Sequence, residues 1–265
     1  MRIAAYIGGI GMLGPGLSNW PEAAAVLSGR GAYRSAPTVL PQPVLLPPAE
    51  RRRSGRAVKL ALAVASEASA HANASPAELK SVFTSSGGDG HNCHELCQAL
   101  VLSPSEISPT RFSNSVHNAA AGYWSIATGS TAASTVLCAF DGSFCAGLLE
   151  ALTQVVVDGD PVLLVAYDTE YPEPLFAMRP VPDAFGTSLV LTPHREKGSL
   201  ARIEASLGGE TIDSLADRPL EALRAAVPAA RSLPLLERIA MRARGRAVLE
   251  YLDVSNVTVE VEPCD

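Results

Sequence analysis

The stretch from residue 113 to residue 168 decides how this chain folds: SNSVHNAAAGYWSIATGSTAASTVLCAFDGSFCAGLLEALTQVVVDGDPVLLVAYD. Its pattern predicts, in order, a helix over 118–128, a strand over 134–140, a helix over 144–157 and a strand over 161–167. Asp141-Gly142-Ser143 turns the chain before the second helix, and Asp141 or Ser143 is its expected cap. Such a unit favours a mostly parallel sheet with right-handed crossovers.

The predicted turn at 141–143 is also where a nucleophile is expected, because a helix N-terminus stabilises negative charge. Ser143 is the best placed candidate, Cys138 and Cys145 are the nearest thiols, and His117 is the nearest base in the stretch. An activated serine or cysteine needs that base within hydrogen-bond reach and an oxyanion site. The sequence around Ser143 is not the Gly-x-Ser-x-Gly elbow of hydrolases.

Composition limits the class of protein. The chain has 265 residues, of which 47% are apolar and 18% charged, as in one large or two small globular domains. A net charge of −6 argues against general nucleic-acid binding. Five cysteines at irregular spacing suit a reducing compartment better than a disulfide framework.

The apolar residues from 3 to 13 are interrupted by glycines, so they predict a buried first strand rather than a secretory signal. No stretch approaches the roughly 18 to 20 uninterrupted apolar residues of a membrane span. We therefore expect a cytoplasmic protein without membrane contact.

The glycine-rich segment after the first strand matches the dinucleotide pattern Gly-x-Gly-x-x-Gly at residues 9–14. That pattern requires a helix that opens on the last glycine and an acidic residue about twenty positions later, and neither follows. We expect a strand over 3–7, a flexible turn over 8–16 and a helix over 20–27 capped by Asn19 or Ser18. No cofactor is expected.

Two further segments suggest binding. A long helix is expected after Pro47, and its first turns carry Arg51, Arg52, Arg53 and Arg56, which form either a solvated face or a contact for an acidic carrier protein or a partner subunit. A strand over 81–85 and a helix over 91–102 follow. His91, Cys93, His94 and Cys97 on that helix invite a zinc hypothesis. The cysteines and histidines lie on neighbouring faces and no second pair follows, so we expect no metal site.

The last third carries no recognisable chemistry. Segments 184–192 and 201–207 predict a hairpin or an adjacent pair of strands. Helices are expected over 220–226 and 233–248, and Arg238, Arg242 and Arg246 would give the second of these a basic face. Short β-prone pieces follow at 249–253 and 257–261.

Several stretches together resemble the β-ketoacyl synthases, the thiolase-fold condensing enzymes. They are residues 6–11 with Trp20, 82–89, 117–122, the 134–140 strand and 158–160. The resemblance spans about residues 1–195. It implies an α/β, thiolase-like layered fold, the N-terminal half of a ketosynthase, with a mostly parallel mixed sheet and flanking helices. We expect residues 1–210 to form this domain and residues 211–265 to form a helical C-terminal extension.

The chain departs from the family at the residue that carries the acyl group. Counting from Gly122 places the family's cysteine at Asp141, and counting back from Gly159-Asp160 places it at Gly142. Cys138 lies three or four residues too early and Cys145 three or four too late. The family's second half supplies two histidines, whereas here the only histidine after Tyr167 is His194. Cys138, Asp141, Ser143 and His117 therefore stay weak catalytic candidates.

The resemblance implies a non-condensing, chain-length-factor-like subunit that forms a heterodimer with a full-length ketosynthase. Such a subunit works in acyl-carrier-protein-dependent elongation, in polyketide, aryl polyene or fatty-acid-type pathways. A half-fold would expose an apolar face for the partner. The expected interface lies on the first helix of the stretch, at His117, Asn118, Ala121, Gly122, Tyr123 and Trp124. The alternative is a stand-alone acyltransferase or thioesterase-like enzyme that uses Ser143 or Cys138.

Overall fold

The computed structural model describes residues 2–102 and 107–265, which form an eight-stranded mixed sheet flanked by helices. The strands are β1 (Arg2–Leu13), β2 (Lys80–Thr84), β3 (Ser134–Leu137), β4 (Val162–Asp168), β5 (Phe185–Thr192), β6 (Ala201–Gly208), β7 (Gly245–Leu252) and β8 (Ser255–Pro263). The helices are α1 (Trp20–Leu27), α2 (Pro48–Arg53), α3 (Arg56–His71), α4 (Gly90–Leu102), α5 (Pro109–Ser113), α6 (Ala119–Thr128), α7 (Ser143–Asp158), α8 (Leu175–Met178), α9 (Arg218–Ala226) and α10 (Leu233–Ala240).

The strand order is β3-β2-β4-β5-β1-β6-β8-β7. The predicted α/β class is confirmed, and the central unit has the predicted elements: α6, β3, α7 and β4. Parallel pairing is confined to β2 with β3 and β4, and the other pairs are antiparallel. Parallel neighbours need a helical crossover, which α7 supplies between β3 and β4. The sheet is therefore mixed, but it is mostly antiparallel rather than mostly parallel as predicted. Its parallel part joins β3 and β4 of the 113–168 stretch to β2, which lies outside that stretch.

The first strand is longer than predicted, because it includes the glycine-rich segment. A Cβ atom at Gly9 would overlap the Ala68 carbonyl oxygen, and one at Gly11 would overlap the Val64 carbonyl oxygen. Glycine is required at both positions so that the backbone of α3 can lie directly on β1. The flexible turn predicted over 8–16 is therefore wrong for residues 8–13, which belong to β1, while the chain does turn between Gly14 and Leu17. The dinucleotide pattern reflects a helix packed on a strand.

Helix boundaries follow the expected signals at some places and not at others. Helix α1 is confirmed with its predicted cap, since the Glu22 N–H donates to the Asn19 side chain at 2.9 Å. The single long helix expected after Pro47 is instead α2 and α3, because Ser54 is extended between them. The four arginines are divided between these two helices.

The last third differs most from its prediction. Strands β5 and β6 are not neighbours, because β1 lies between them. The helix expected over 233–248 ends at Ala240, where Arg242 takes a positive φ of 51° and reverses the chain. Residues 245–252 then form β7, so Arg238, Arg242 and Arg246 do not share a helix face. The predicted helical extension also contributes β7 and β8 to the sheet, while the domain boundary at residue 210 stays a prediction.

Each face of the sheet has its own apolar core, because successive strand residues point to opposite faces. Helices α1, α7, α9 and α10 cover one face, and α3 and α6 cover the other. The segment Phe140–Asp158 is long and apolar enough to span a membrane by composition, but half of it is buried within the protein. It contains α7, whose apolar residues pack on β2 and β4, as expected of a core helix.

Candidate functional site

The turn between β3 and α7 is the candidate site. Strand β3 ends at Leu137, three residues before its predicted end, so Cys138 lies beyond the strand. Phe140–Gly142 forms a single 3-10 turn, and α7 begins at Ser143. Phe140 has a positive φ of 50°, and its side chain is 61% exposed. A positive φ is uncommon for a bulky residue, so this turn is locally strained, and it carries an aromatic side chain at its apex.

Gly142 lies under the strand β7. A Cβ atom at this position would overlap the Tyr251 carbonyl oxygen and lie 3.1 Å from the Tyr251 ring. Backbone cannot yield as the end of a flexible side chain does, so the site accepts only glycine without a shift of the β7–β8 hairpin. One of the two positions that sequence counting assigns to the family's cysteine is therefore filled by the chain's own C-terminal third.

Asp141, the other counted position, is held by two arginines. Its carboxylate is paired with Arg179 and with Arg231, the latter at 3.0 Å. Arg231 also pairs with Glu250 on β7, and the Arg179 guanidinium lies 3.8 Å from the centroid of the Phe140 ring. A carboxylate engaged by two partly buried guanidinium groups anchors the turn.

Ser143 uses its hydroxyl to close the same turn. The Ala139 N–H donates to Ser143 Oγ at 3.0 Å, and Ser143 Oγ donates to the Phe140 carbonyl oxygen at 2.7 Å. Its side chain is buried. The predicted cap is wrong: Gly142 occupies the N-cap position of α7, and no side chain bonds to the free N–H groups there. The hydroxyl therefore serves the backbone of the turn.

The other sequence candidates do not assemble into a catalytic pair. Cys138 is exposed, and its thiol donates to the Ser86 carbonyl oxygen at 3.2 Å. Cys145 is buried in the core, and burial raises the pKa of its thiol far above the ordinary range. His117 lies beside Gly88 in the loop after β2. In the described parts of the chain, no hydrogen bond joins His117 to Cys138 or to Ser143.

Sequence reasoning missed Asp168, the last residue of β4, which is 2% exposed. It accepts hydrogen bonds from the Ser86 N–H at 2.8 Å, from Ser86 Oγ at 2.6 Å and from the Ala229 N–H at 2.9 Å. Burial raises its pKa to about 6, although these hydrogen bonds oppose that shift. Asp168 fastens the loop after β2 to the turn before α10. The available signal was an acid that ends an otherwise apolar strand.

Comparison with known proteins identifies the family. The sequence matches the family described as beta-ketoacyl synthase, N-terminal domain, over residues 20–245. The chain belongs to this family. Curated protein sequences give no significant match.

Solved structures of similar fold include complexes of ketosynthases with chain length factors. The chain is 23% identical to a chain of the ketosynthase ApeO in complex with its chain length factor ApeC from Xenorhabdus doucetiae, with a TM-score of 0.74 over 97% of this chain and 99% of that one. For the ishigamide ketosynthase/chain length factor, identity is 15% and the TM-score 0.72, over 99% and 100%. For a type II polyketide acyl-carrier protein in complex with its ketosynthase, identity is 11% and the TM-score 0.75, over all of both chains. At these identities the likeness establishes the fold.

The predicted interface of this ketosynthase-family chain divides between buried and open residues. Ala121, Tyr123 and Trp124 are buried within the protein, where α6 packs on α3. Asn118 and Gly122 are exposed, His117 is half-buried, and nothing lies within 4 Å of a Cβ built on Gly122. The interface, which stays a prediction, thus narrows to the outer face of α6.

The zinc hypothesis finds no support in the helix that raised it. Within residues 2–102 and 107–265, no group of three or more histidine, cysteine or acidic side chains is arranged to hold a metal ion. Cys93 is half-buried, with the pKa of its thiol raised by burial, and Cys97 is exposed.

Proposed function

We propose that this chain is a non-condensing, chain-length-factor-like subunit that pairs with a full-length ketosynthase. The heterodimer would act in acyl-carrier-protein-dependent chain elongation in the cytoplasm, in a polyketide, aryl polyene or fatty-acid-type pathway. The subunit would complete the ketosynthase and shape the space for the growing acyl chain.

One observation carries this proposal: the turn that bears the family's acylating cysteine is built here as a structural element. Gly142 lies against the Tyr251 carbonyl, and the Asp141 carboxylate is paired with Arg179 and Arg231. The hydroxyl of Ser143 is used within the turn. A chain without a free nucleophile at this position can contribute to condensation only through a partner that has one.

The open edge of the sheet is the proposed partner surface. Strand β3 is at the end of the sheet and pairs with β2 alone among the described strands, so its outer N–H and C=O groups are free to pair with another strand. Large apolar side chains are exposed on the part of the chain that precedes β3: Phe112 on α5, Val116 between α5 and α6, and Ile126 on α6. Free backbone groups and exposed apolar side chains suit a protein interface.

The apolar face expected to be left open by a half-fold is covered by the chain itself. The turn before α10 and strand β7 lie on α7, and Phe144, Leu148 and Leu152 of α7 are fully buried. The proposed partner therefore docks on the β3 edge and the outer face of α6, and not on α7.

The proposal is tested by coexpression with a full-length ketosynthase. The complex would be weighed by size-exclusion chromatography with light scattering, and elongation would be assayed with and without this chain. We expect a one-to-one complex whose products appear, or change in length, only when both chains are present.

The opposite result would favour the stand-alone acyltransferase or thioesterase-like enzyme. A chain that stays separate from the ketosynthase and becomes acylated by a thioester analogue would overturn the proposal. Ser143→Ala and Cys138→Ala, with peptide mapping of the acylated residue, would then identify the nucleophile.

A further inference from the structure

A groove of about 860 Å³ lies on the side of the molecule that carries α3, across the sheet from α7. One wall is the outer face of α3, and the other is the proline-containing segment 36–45. The end of β1 and the residues that follow it form the floor. The groove is large enough for a small-molecule ligand, and neither the turn at Asp141 nor the β3 edge contributes to it.

The proline-containing wall is held in place at both ends. Thr38 donates from its N–H to the Asp183 carboxylate at 3.0 Å and from its hydroxyl to the Ala184 carbonyl at 2.8 Å. At the other end, the Arg51 guanidinium donates to the carbonyls of Val44 at 2.9 Å and Leu46 at 3.1 Å. An anchored wall loses little conformational entropy when a ligand binds.

The lining suits an apolar chain. Three large side chains of the wall are exposed at the groove: Val39 at 82%, Val44 at 71% and Leu45 at 50%. The prolines between them have no N–H group, so this wall offers few unsatisfied donors to an apolar ligand. Leu62 and Ala63 of α3 face them across the groove. Clustered exposed apolar side chains around a concave surface indicate a binding site.

The two charged side chains that line the α3 wall make the two ends of the groove different. Lys59 lies at one end of the α3 wall, and it makes no ion pair or side-chain hydrogen bond within the described ranges of the chain. Glu67 lies two turns further, about 12 Å along the helix. Its carboxylate already accepts from the Met12 N–H at 2.8 Å and the Trp20 N–H at 2.6 Å. The ammonium at Lys59 is thus the charge that remains available to a ligand.

We propose that this groove binds a medium-chain fatty carboxylate, with its carboxylate on the Lys59 ammonium and its alkyl chain between α3 and Val39, Val44 and Leu45. The proposal does not depend on the chain-length-factor-like role, because the groove shares no residue with the proposed partner surface. It assigns a ligand to a part of the molecule that the nucleophile turn does not use.

Isothermal titration of the full chain with sodium decanoate tests this site, with decylammonium and decanol as ligands of equal length and different head group. We expect saturable one-to-one binding of decanoate and much weaker binding of decylammonium. Lys59→Gln should weaken decanoate binding roughly tenfold, as expected for the loss of one charge-assisted hydrogen bond. Lys197→Gln, at an exposed turn, is the matched control and should change nothing.

Two variants examine the apolar wall. Ala63→Trp should fill the groove and abolish binding, and Val39→Asp should weaken it without a folding defect because Val39 is exposed. Circular dichroism would verify that each variant is folded. Absence of saturable binding to the folded wild-type chain would overturn the site. Equal binding of decylammonium, or no effect of Lys59→Gln, would overturn the assigned head group.

Discussion

The edge strands at the two ends of the sheet differ in length and burial. At one end, β3 has four residues, none of them fully buried, and it pairs with a single neighbour among the described strands. At the other end, β7 and β8 form a long hairpin whose inward side chains are buried, including Leu249, Val257 and Val259. Tyr251 on β7 contacts the turn at Gly142.

This difference separates the end of the sheet that the chain covers itself from the end that stays open for the proposed partner. At the β7–β8 end, strand β7 packs on α7, and Tyr251 occupies the space next to Gly142, one of the two positions that counting assigns to the family's cysteine. This end of the sheet is therefore covered by the chain itself. The β3 end keeps unpaired backbone groups, and the part of the chain that precedes β3 carries exposed apolar side chains. Both are features of an interface rather than of a free surface. Four variants test this contrast: one where the β7–β8 hairpin covers the turn, one on the interior strand β4, and two at or beside the open end.

Gly142→Cys should have the largest effect. The new side chain would overlap backbone atoms of Tyr251, so we expect the free energy of unfolding to fall by about 3 kcal/mol. Urea denaturation measures this, and elongation assays should detect no condensation by the variant alone. Gly122→Ala is the matched control: its Cβ meets no atom within 4 Å, and alanine should stabilise α6 by about 0.5–1 kcal/mol. Equal stability of Gly142→Cys and wild type would mean that the hairpin does not seal the turn.

Asp168→Asn, at the end of the interior strand β4, should have the next largest effect. An amide can accept from Ser86, but its NH2 group would face the Ala229 N–H and leave a buried donor without an acceptor. We expect a loss of about 2 kcal/mol in the free energy of unfolding. Asp160→Asn, an exposed carboxylate, is the control and should stay within about 0.5 kcal/mol of wild type.

The same residue predicts a pH dependence. The pKa of Asp168 is about 6 in the folded protein against an ordinary value of 3.8, so between these pH values the folded state binds more protons than the unfolded state. Its contribution to stability is therefore largest below about pH 4 and declines as the pH rises to about 6, by up to roughly 3 kcal/mol. Urea denaturation at several pH values in this window gives the free energy of unfolding of wild type and of Asp168→Asn as a function of pH. The two proteins should differ in the slope of that dependence on pH, and identical slopes would contradict the assignment.

Val136→Pro tests the open end. The carbonyls of Ala133 and Leu137 accept from β2, so by alternation the Val136 N–H points away from β2. Proline there should leave the fold within about 1 kcal/mol of wild type and weaken association with the ketosynthase at least about tenfold, measured by biolayer interferometry. Thr135→Pro removes an inward N–H and should instead destabilise the chain itself. Unchanged association of the folded Val136→Pro variant would exclude β3 as the docking edge.

Cys138→Ala should have the smallest effect. The thiol is exposed and makes one weak hydrogen bond, so the free energy of unfolding should change by less than about 0.5 kcal/mol. The proposed role also requires product yield with the ketosynthase to stay unchanged. Loss of product with this variant would favour catalysis by the chain itself.

The sequence predicted the elements that are specified by neighbouring residues. Asn19 caps α1 as expected, Gly159 ends α7 in a left-handed conformation, and the apolar run before Asp168 forms β4. Each of these signals involves residues that are close together in the sequence, so the local sequence is enough to predict the element.

The errors arise where a distant contact decides the local structure. The sequence around Gly9 and Gly11 predicted a turn. Glycine is needed at these positions because the backbone of α3, more than fifty residues away in sequence, packs against them. Residues 245–248 read as helix by composition, but they pair with β8 in the sheet. The same applies to the site: no local pattern could reveal that Tyr251 covers Gly142 or that Arg179 and Arg231 hold Asp141.

The central position of β1 has a consequence for how the chain folds. β1 pairs with β5 and β6, so Tyr6 lies opposite Thr192 and Arg2 opposite Ser206, at separations of close to 200 residues. Contacts between residues so distant in sequence form slowly, because a long loop must close before they contribute. The pairing of β1 with β5 and β6 therefore forms late in folding. Until those strands have been synthesised, both edges of β1 stay unpaired. Refolding should be slow, and aggregation through this strand should be the main competing reaction.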